Sequence, residues 1–277
     1  MKKIIVAVDF SQGALNALSY AIDIAIFIKA EIQMLWVDSN SCDNHILGTK
    51  NEIRHDAKLE MESILEKKSE EYPQLLISYK LRKGKVYKEF AAQASSWGAD
   101  LAVIGTHGIS GFEEFWVGSN AFKIISYSPC PVISVRTDFT KGGNIKKIVL
   151  PIDDTFETTK KVPMATNLAK AVGADIEMLS VYYSDLPSMK RLTDKNVNDT
   201  KVYLGGKGVK LSVTSCKTNN LSKSIVKFTE EIEADLIVIM TDQDSANKDI
   251  IMGVNSQNII NRSLIPILSV KPGELVF

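Results

Sequence analysis

Four blocks of this chain recur in the same order, and that repetition limits the possible folds more than any single motif does. Lys3-Ile4-Ile5-Val6-Ala7-Val8-Asp9 returns as Lys147-Ile148-Val149-Leu150-Pro151-Ile152-Asp153, an offset of 144 residues. At that offset Ala30-Glu31-Ile32-Gln33-Met34-Leu35 matches Ala174-Asp175-Ile176-Glu177-Met178-Leu179. Ala99 to Ile104 then matches Ala234 to Ile239, and Pro131 to Val135 matches Pro266 to Val270, both at an offset of 135. The chain is a duplication whose second copy is shorter in its middle. The copies are expected at residues 1–138 and 145–277. Arg136 to Asn144, containing Gly142-Gly143, reads as the linker.

Within a copy, strand and helix patterns alternate. Ile4 to Val8 is a short β-branched run, as in a strand buried on both faces. Ser11 is placed to cap a helix in which Leu15, Leu18, Ile22 and Ala25 recur at helical spacing. Strands are expected over Ile32 to Val37, Leu75 to Leu81, Leu101 to Ile104 and Val132 to Val135. Between them lie helices over Arg54 to Glu71, Val86 to Trp97 and Ser119 to Ser126. Strands joined by helices run parallel with right-handed crossovers. The expected fold class is therefore α/β, two tandem open, doubly wound parallel five-stranded sheets. In copy two the polar stretch Tyr182 to Asp199 predicts a second helix or third strand that is shortened or disordered.

Charge and cysteine content narrow the function classes. The 33 basic residues balance 33 acidic ones, and no lysine- or arginine-rich run suggests a nucleic-acid or anionic-membrane partner. The apolar run at the N-terminus stops at Asp9, too short for a secretory signal. Cys42, Cys130 and Cys216 are odd in number and widely spaced, against a disulfide framework or a thiolate zinc site. A cytoplasmic location is expected.

The segment after the fourth strand carries the most chemistry. Gly105-Thr106-His107-Gly108 is followed, after an intervening stretch, by Gly118-Ser119-Asn120 at the start of a helix. Gly105 and Gly108 let main-chain N–H groups approach an anion, and the helix start adds free N–H groups and a favourable dipole. Ser119 and Asn120 add side-chain donors. Glycines after a strand also make ordinary turns, and a serine at a helix start is also an ordinary cap. His107, His45 and His55 share no metal-ligand spacing.

Taken jointly, these residues resemble the universal stress protein family, whose ATP-binding members carry Gly-x2-Gly-x9-Gly-(Ser/Thr). Gly105, Gly108, Gly118 and Ser119 satisfy that spacing. Val6-Ala7-Val8-Asp9 is similar to the family's first strand, and Ser128-Pro129-Cys130-Pro131-Val132 to the entry of its last. The resemblance covers both copies and implies a Rossmann-like fold of the adenine nucleotide alpha hydrolase kind. It implies ATP, ADP or AMP as ligand, with or without Mg2+, and a stress-response or regulatory role. Asp9 would then lie near the ribose and Val37 would offer main-chain groups to adenine. Gly105, Gly108, Gly118, Ser119 and Asn120 would hold phosphate. The family also pairs through last strands, which here implies an internal pseudo-dimer through Ile133 to Val135 and Ile267 to Val270, or a homodimer of whole chains. Asp9 can equally serve as a local cap.

Copy two departs from the motif. Gly105, Gly108 and Ser119 become Met240, Gln243 and Val254, while Gly118 keeps its counterpart Gly253. Asp242, Asp244 and Asp249 add negative charge near the same place. One nucleotide per chain is expected. No Gly-x4-Gly-Lys-(Ser/Thr) run is present, and 105–118 contains no lysine or arginine to stabilise phosphoryl transfer. Binding is the reading favoured over catalysis. A structural module without nucleotide and a slow ATPase are the alternatives.

Overall fold

The computed structural model describes residues 1–39, 47–106, 118–241 and 252–272, with side chains excepted at 47–51. Copy one runs β1 (Lys3–Ala7), α1 (Gln12–Ile28), β2 (Glu31–Asp38), α2 (Leu47–Glu71), β3 (Ile77–Lys83), α3 (Val86–Trp97), β4 (Leu101–Gly105), α4 (Ser119–Tyr127) and β5 (Val132–Val135). Copy two repeats the order as β6 (Lys147–Ile152), a 3-10 turn (Thr158–Lys161), α5 (Val162–Val172), β7 (Asp175–Tyr182), α6 (Pro187–Leu204), β8 (Leu211–Lys217), α7 (Leu221–Glu231), β9 (Leu236–Met240), α8 (Val254–Arg262) and β10 (Ile267–Val270).

The strands form a single ten-stranded sheet in the order β3-β2-β1-β4-β5-β10-β9-β6-β7-β8. Pairing within each copy is parallel, and the two halves join where β5 meets β10 antiparallel, with Ile133 opposite Leu268. Successive residues of a strand face opposite sides, so the sheet feeds two cores. Ile4, Leu18 and Met34 share one core with Ile148, Leu168 and Met178. Ile5, Phe90 and Ile124 share the other with Leu179, Ile225 and Ile259. Each core therefore continues across both copies.

Local signals explain the element ends. Ser11 caps α1, its side chain accepting from the Ala14 N–H. α1 ends at Lys29 in the left-handed region, with φ 54°. The equivalent residue after α5 is Gly173, with φ 74°, and only the glycine is free of the Cβ clash there.

One expectation needs correction. Tyr182 to Asp199 is not disordered: it completes β7 and supplies most of α6, an ordered helix that is shortened as expected, 18 residues against 25 in α2. The third strand keeps its length, 7 residues in both β3 and β8. The linker is held against α1. Gly143 donates its N–H to Asp23 Oδ2 at 2.7 Å, and Asn16 Nδ2 donates to the Thr137 carbonyl. A Cβ on Gly143 would meet the Tyr20 carbonyl oxygen at 2.8 Å, so this glycine serves close approach to α1. Phe139 packs edge-on against Tyr20, whose fully buried hydroxyl is pushed up in pKa by desolvation and then by the charges of Asp235 and Asp23.

Candidate functional site

In copy one the strand order reverses between β1 and β4, the place where open parallel sheets leave a crevice beyond their carboxyl ends. Asp9 lies just past β1. Its Oδ1 accepts both the N–H and the hydroxyl of Ser11, at 3.1 and 2.5 Å. Asp9 thus does not cap α1 itself but holds the N-cap Ser11 in a local turn, which occupies only one carboxylate oxygen. Phe10, between them, has φ 65°, a strained conformation for a bulky residue. Its ring lies 6.4 Å from that of Trp36. Nothing in the sequence signalled this strained turn.

Val37 is on β2, paired with Arg82 of β3. The Ile32 N–H donates toward β3, to Leu76, while the Leu35 carbonyl accepts from Val8 on the β1 side. Main-chain direction alternates along a strand, so Val37 turns its N–H and C=O toward the β1 side. The pairing with β1 stops at Ala7 opposite Leu35. Those two groups therefore face the space beyond β1.

Gly105 ends β4, and its lack of a side chain has a packing cause. A Cβ there would lie 2.7 Å from the Gly13 carbonyl carbon and 2.8 Å from its oxygen, at the start of α1. Gly118 is the N-cap of α4, and its N–H returns to the Thr106 carbonyl at 2.8 Å. No side chain caps this helix. The first intrahelical N–H recorded is that of Phe122, to Gly118, so the N–H groups of Ser119, Asn120 and Ala121 point out of the helix start. Ser119 and Asn120 are exposed. Gly108 and His107 lie outside the described residues. Lys123, one turn on, sits over the Tyr87 ring at 5.6 Å. Asp9, Val37, Gly105, Gly118, Ser119 and Asn120 are thus brought to one sheet edge.

Copy two builds the same edge differently. Asp153 Oδ1 accepts the N–H and hydroxyl of Thr155, at 3.0 and 2.6 Å, repeating the Asp9 turn. Met240 stands where copy one has Gly105, buried at the end of β9. A side chain at that point excludes the close helix start seen in copy one. Copy two accordingly opens with the 3-10 turn and begins α5 only at Val162. The displaced turn brings in Lys161, 3% exposed, whose Nζ donates to the Thr158 carbonyl and hydroxyl at 2.7 and 3.1 Å. The Thr158 hydroxyl also accepts from the Asp153 N–H. Lys161, Asp153, the N-termini of α7 and α8 and Arg262 line a cavity of about 380 Å³. Tyr183 also lines it, its pKa pushed up to about 12 by burial, then by a hydrogen bond to Asp154 and the charges of Asp154 and Asp153. Lys161 aligns with Ala17 of the first core, so sequence comparison gave no reason to select it.

Among the described residues no group of three or more His, Cys, Asp or Glu could hold a metal ion. No helix among them is long and apolar enough to cross a membrane.

Comparison with known proteins supplies the context. The chain is 29% identical over 147 residues to the universal stress protein YxiE of Bacillus subtilis, spanning 48% of this chain and 98% of that protein. It is 32% identical over 139 residues to a universal stress protein of Methanocaldococcus jannaschii, spanning 49% of this chain and 82% of the other. These relatives are each matched by about one copy. A universal stress protein structure from Archaeoglobus fulgidus superposes with a TM-score of 0.79 at 18% identity, covering 98% of both chains, so the tandem architecture itself is shared. The profile of the universal stress protein family matches twice, at 1–136 and 144–271, and the chain belongs to that family.

Proposed function

We propose that copy one binds one adenine nucleotide, ATP, ADP or AMP, and that the protein is a regulatory binding module of the stress response. The observation that carries this reading is the convergence at the β1/β4 crevice of three complementary groups. Asp9 retains a carboxylate oxygen for ribose hydroxyls. Val37 turns an N–H and a C=O toward the crevice, a pattern suited to the adenine edge. The uncapped start of α4 offers N–H groups and a dipole to phosphate, with Ser119 and Asn120 alongside. Gly108 completes the phosphate loop in this reading. Any Mg2+ would arrive with the phosphate oxygens. Copy two lacks Ser119's hydroxyl, having Val254 there, and is assigned no nucleotide.

Small molecules released from the purified chain and identified by mass spectrometry test this directly. The expected result is one adenine nucleotide per chain. Release of none, together with no binding at millimolar ATP, would sink the proposal. A titration with two equivalent sites would overturn the stoichiometry.

A further inference from the structure

The ten-stranded sheet has two outer edges, β3 and β8. The last strands of the two copies are spent on each other, β5 lying between β4 and β10, and β10 between β5 and β9. A second chain can therefore extend this sheet only at β3 or β8. We propose that the protein forms a two-fold symmetric dimer through β8, the two strands pairing antiparallel about Thr214.

Register is the first ground. The Lys210 carbonyl accepts from Ile176 and the Thr218 N–H donates to Tyr182, both on β7. Main-chain direction alternates along a strand, so Leu211, Val213, Ser215 and Lys217 turn their N–H and C=O groups to the free edge. An antiparallel pair centred on Thr214 sets Val213 opposite Ser215 and Leu211 opposite Lys217. Every outward residue then meets an outward residue, and each such pair exchanges both bonds. Centring on Val213 or Ser215 instead leaves Lys217 or Leu211 outside the ladder.

The second ground is what meets at the axis. Ile32 pairs with Ile77 in copy one and Ile176 with Leu211 in copy two, so Thr214 and Cys216 stand where β3 has Lys80 and Arg82. The same two-fold pairing at β3 would set Lys80 against Lys80 of the second chain. Like charges directly opposite are destabilising, and lysines guard an edge against strand addition. At β8 the axis carries two threonines, a pair that can hydrogen-bond. Ser212 meets Cys216, and Lys217 lays its aliphatic stem along Leu211. Lys210 is held by Asp175 at 3.1 Å, and Lys217 by Asp185 at 2.8 Å, a carboxylate shared with Lys190. Neither end of the strand brings a bare cation to the pairing.

Coverage is the third ground. In copy one the Tyr79 hydroxyl donates to Glu62 of α2 at 3.0 Å, and Tyr79 and Leu81 pack against the first core. The corresponding Val213 and Ser215 are exposed, with exposed Thr214 between them. A strand open at its edge and on both faces is a template for another strand. One unguarded edge per chain, joined to itself, closes after two chains, which makes a second copy the fitting occupant. The seam between β5 and β10 already joins strands of 4 residues by antiparallel edge pairing, and β8 offers 7.

Sedimentation equilibrium of the whole chain from about 1 μM to 1 mM is the test. A strand-edge contact buries little surface, so a monomer–dimer equilibrium with a dissociation constant of roughly 10–100 μM is expected. Thr214→Lys restores the residue type that β3 carries at Lys80, and should weaken the dimer at least about tenfold. Val213→Pro removes an outward N–H without touching the β7 ladder, and should weaken it at least about tenfold as well. Both positions are exposed, and unchanged melting curves of dilute protein verify the fold. Cross-linking supplies an independent reading. Across the axis the two Thr214 α-carbons stand about 4.5 Å apart, within disulfide reach. In a Cys216→Ser background, Thr214→Cys should oxidise to a disulfide-linked dimer. Val213→Cys, whose thiols are offset diagonally by about 7–8 Å, should link at least about tenfold more slowly. Monomer alone at about 1 mM would overturn the proposal. Assembly that grows past two chains, a dimer that survives both Thr214→Lys and Val213→Pro, or equal linking rates at the two positions would each overturn it as well.

Discussion

Gly105 and Gly13 touch main chain to main chain: a Cβ on Gly105 would stand 2.7 Å from the Gly13 carbonyl carbon. Main chain cannot swing aside as a flexible side chain can. Gly105→Ala is therefore expected to destabilise copy one by about 1–3 kcal/mol through overpacking. A urea-unfolding midpoint shifted to lower concentration checks it, and an unchanged midpoint would show that α1 can retreat as α5 has done opposite Met240.

Gly118 behaves differently. Its φ of −54° suits any residue, and it is the N-cap of a helix with no side-chain cap. An added Cβ would meet only the Thr106 carbonyl oxygen, at 3.3 Å. Aspartate is favoured at an N-cap, where it satisfies free N–H groups and complements the dipole. Gly118→Asp should thus hold stability within about 1 kcal/mol of the parent, while the new carboxylate takes the place proposed for phosphate. Nucleotide affinity should fall by roughly a hundredfold, in line with the loss of charge-assisted hydrogen bonds. Parallel melting curves and ATP titrations separate the two effects. Undiminished ATP affinity would move the phosphates away from α4.

Lys29 offers an internal control. It ends α1 at φ 54° and ψ 49°, where the equivalent residue after α5 is glycine. A left-handed lysine carries about 1–2 kcal/mol of strain, partly offset because glycine loses more freedom on folding. Lys29→Gly is expected to raise stability by about 0.5–1 kcal/mol. Denaturant unfolding reads the sign, and a loss of stability would show that the lysine side chain contributes contacts worth more than the strain.

Alkaline pH should weaken copy two. Tyr182 donates to Asp194 Oδ1 at 2.6 Å, and this bond, then burial, pushes its pKa from 10.0 up to about 12. Tyr183 is likewise pushed up to about 12, burial coming first. A raised folded-state pKa means that the unfolded chain loses these protons first. The stability contributed by the neutral phenols is fully present below pH 10 and is lost as pH rises through about 12. Both rings are partly exposed, so screening keeps the effect small. Unfolding midpoints followed through this window should fall, and less steeply in Tyr182→Phe. Identical slopes in the two proteins would argue against the Asp194 bond.

How much of this was legible beforehand differs from residue to residue. The repeat, the strand runs and the Ser11 cap rest on local patterns, and each is found in the structure. The shortening of the second helix was legible, but the order of α6 was not, because its buried stripe is Thr193, Val197, Thr200 and Leu204, spaced as a helix but half threonine. A hydrophobic count passes over such a stripe. The packing role of Gly105 was not legible, because its neighbour Gly13 is remote in sequence and close only in the fold. The contacts of Gly142 and Gly143 with α1 were hidden for the same reason. Lys161 was hidden by alignment, since the 3-10 turn moves it out of the helical register that Ala17 occupies.

The clamped connection between the copies has a kinetic and thermodynamic consequence. With Gly143 bonded to Asp23 and Thr137 bonded to Asn16, β10 is presented to β5 at an effective concentration set by a short tether. Pairing at that seam is a first-order event, insensitive to dilution, whereas two separate single-copy chains would dissociate as they are diluted. The two halves can therefore diverge in what they bind without ever losing each other.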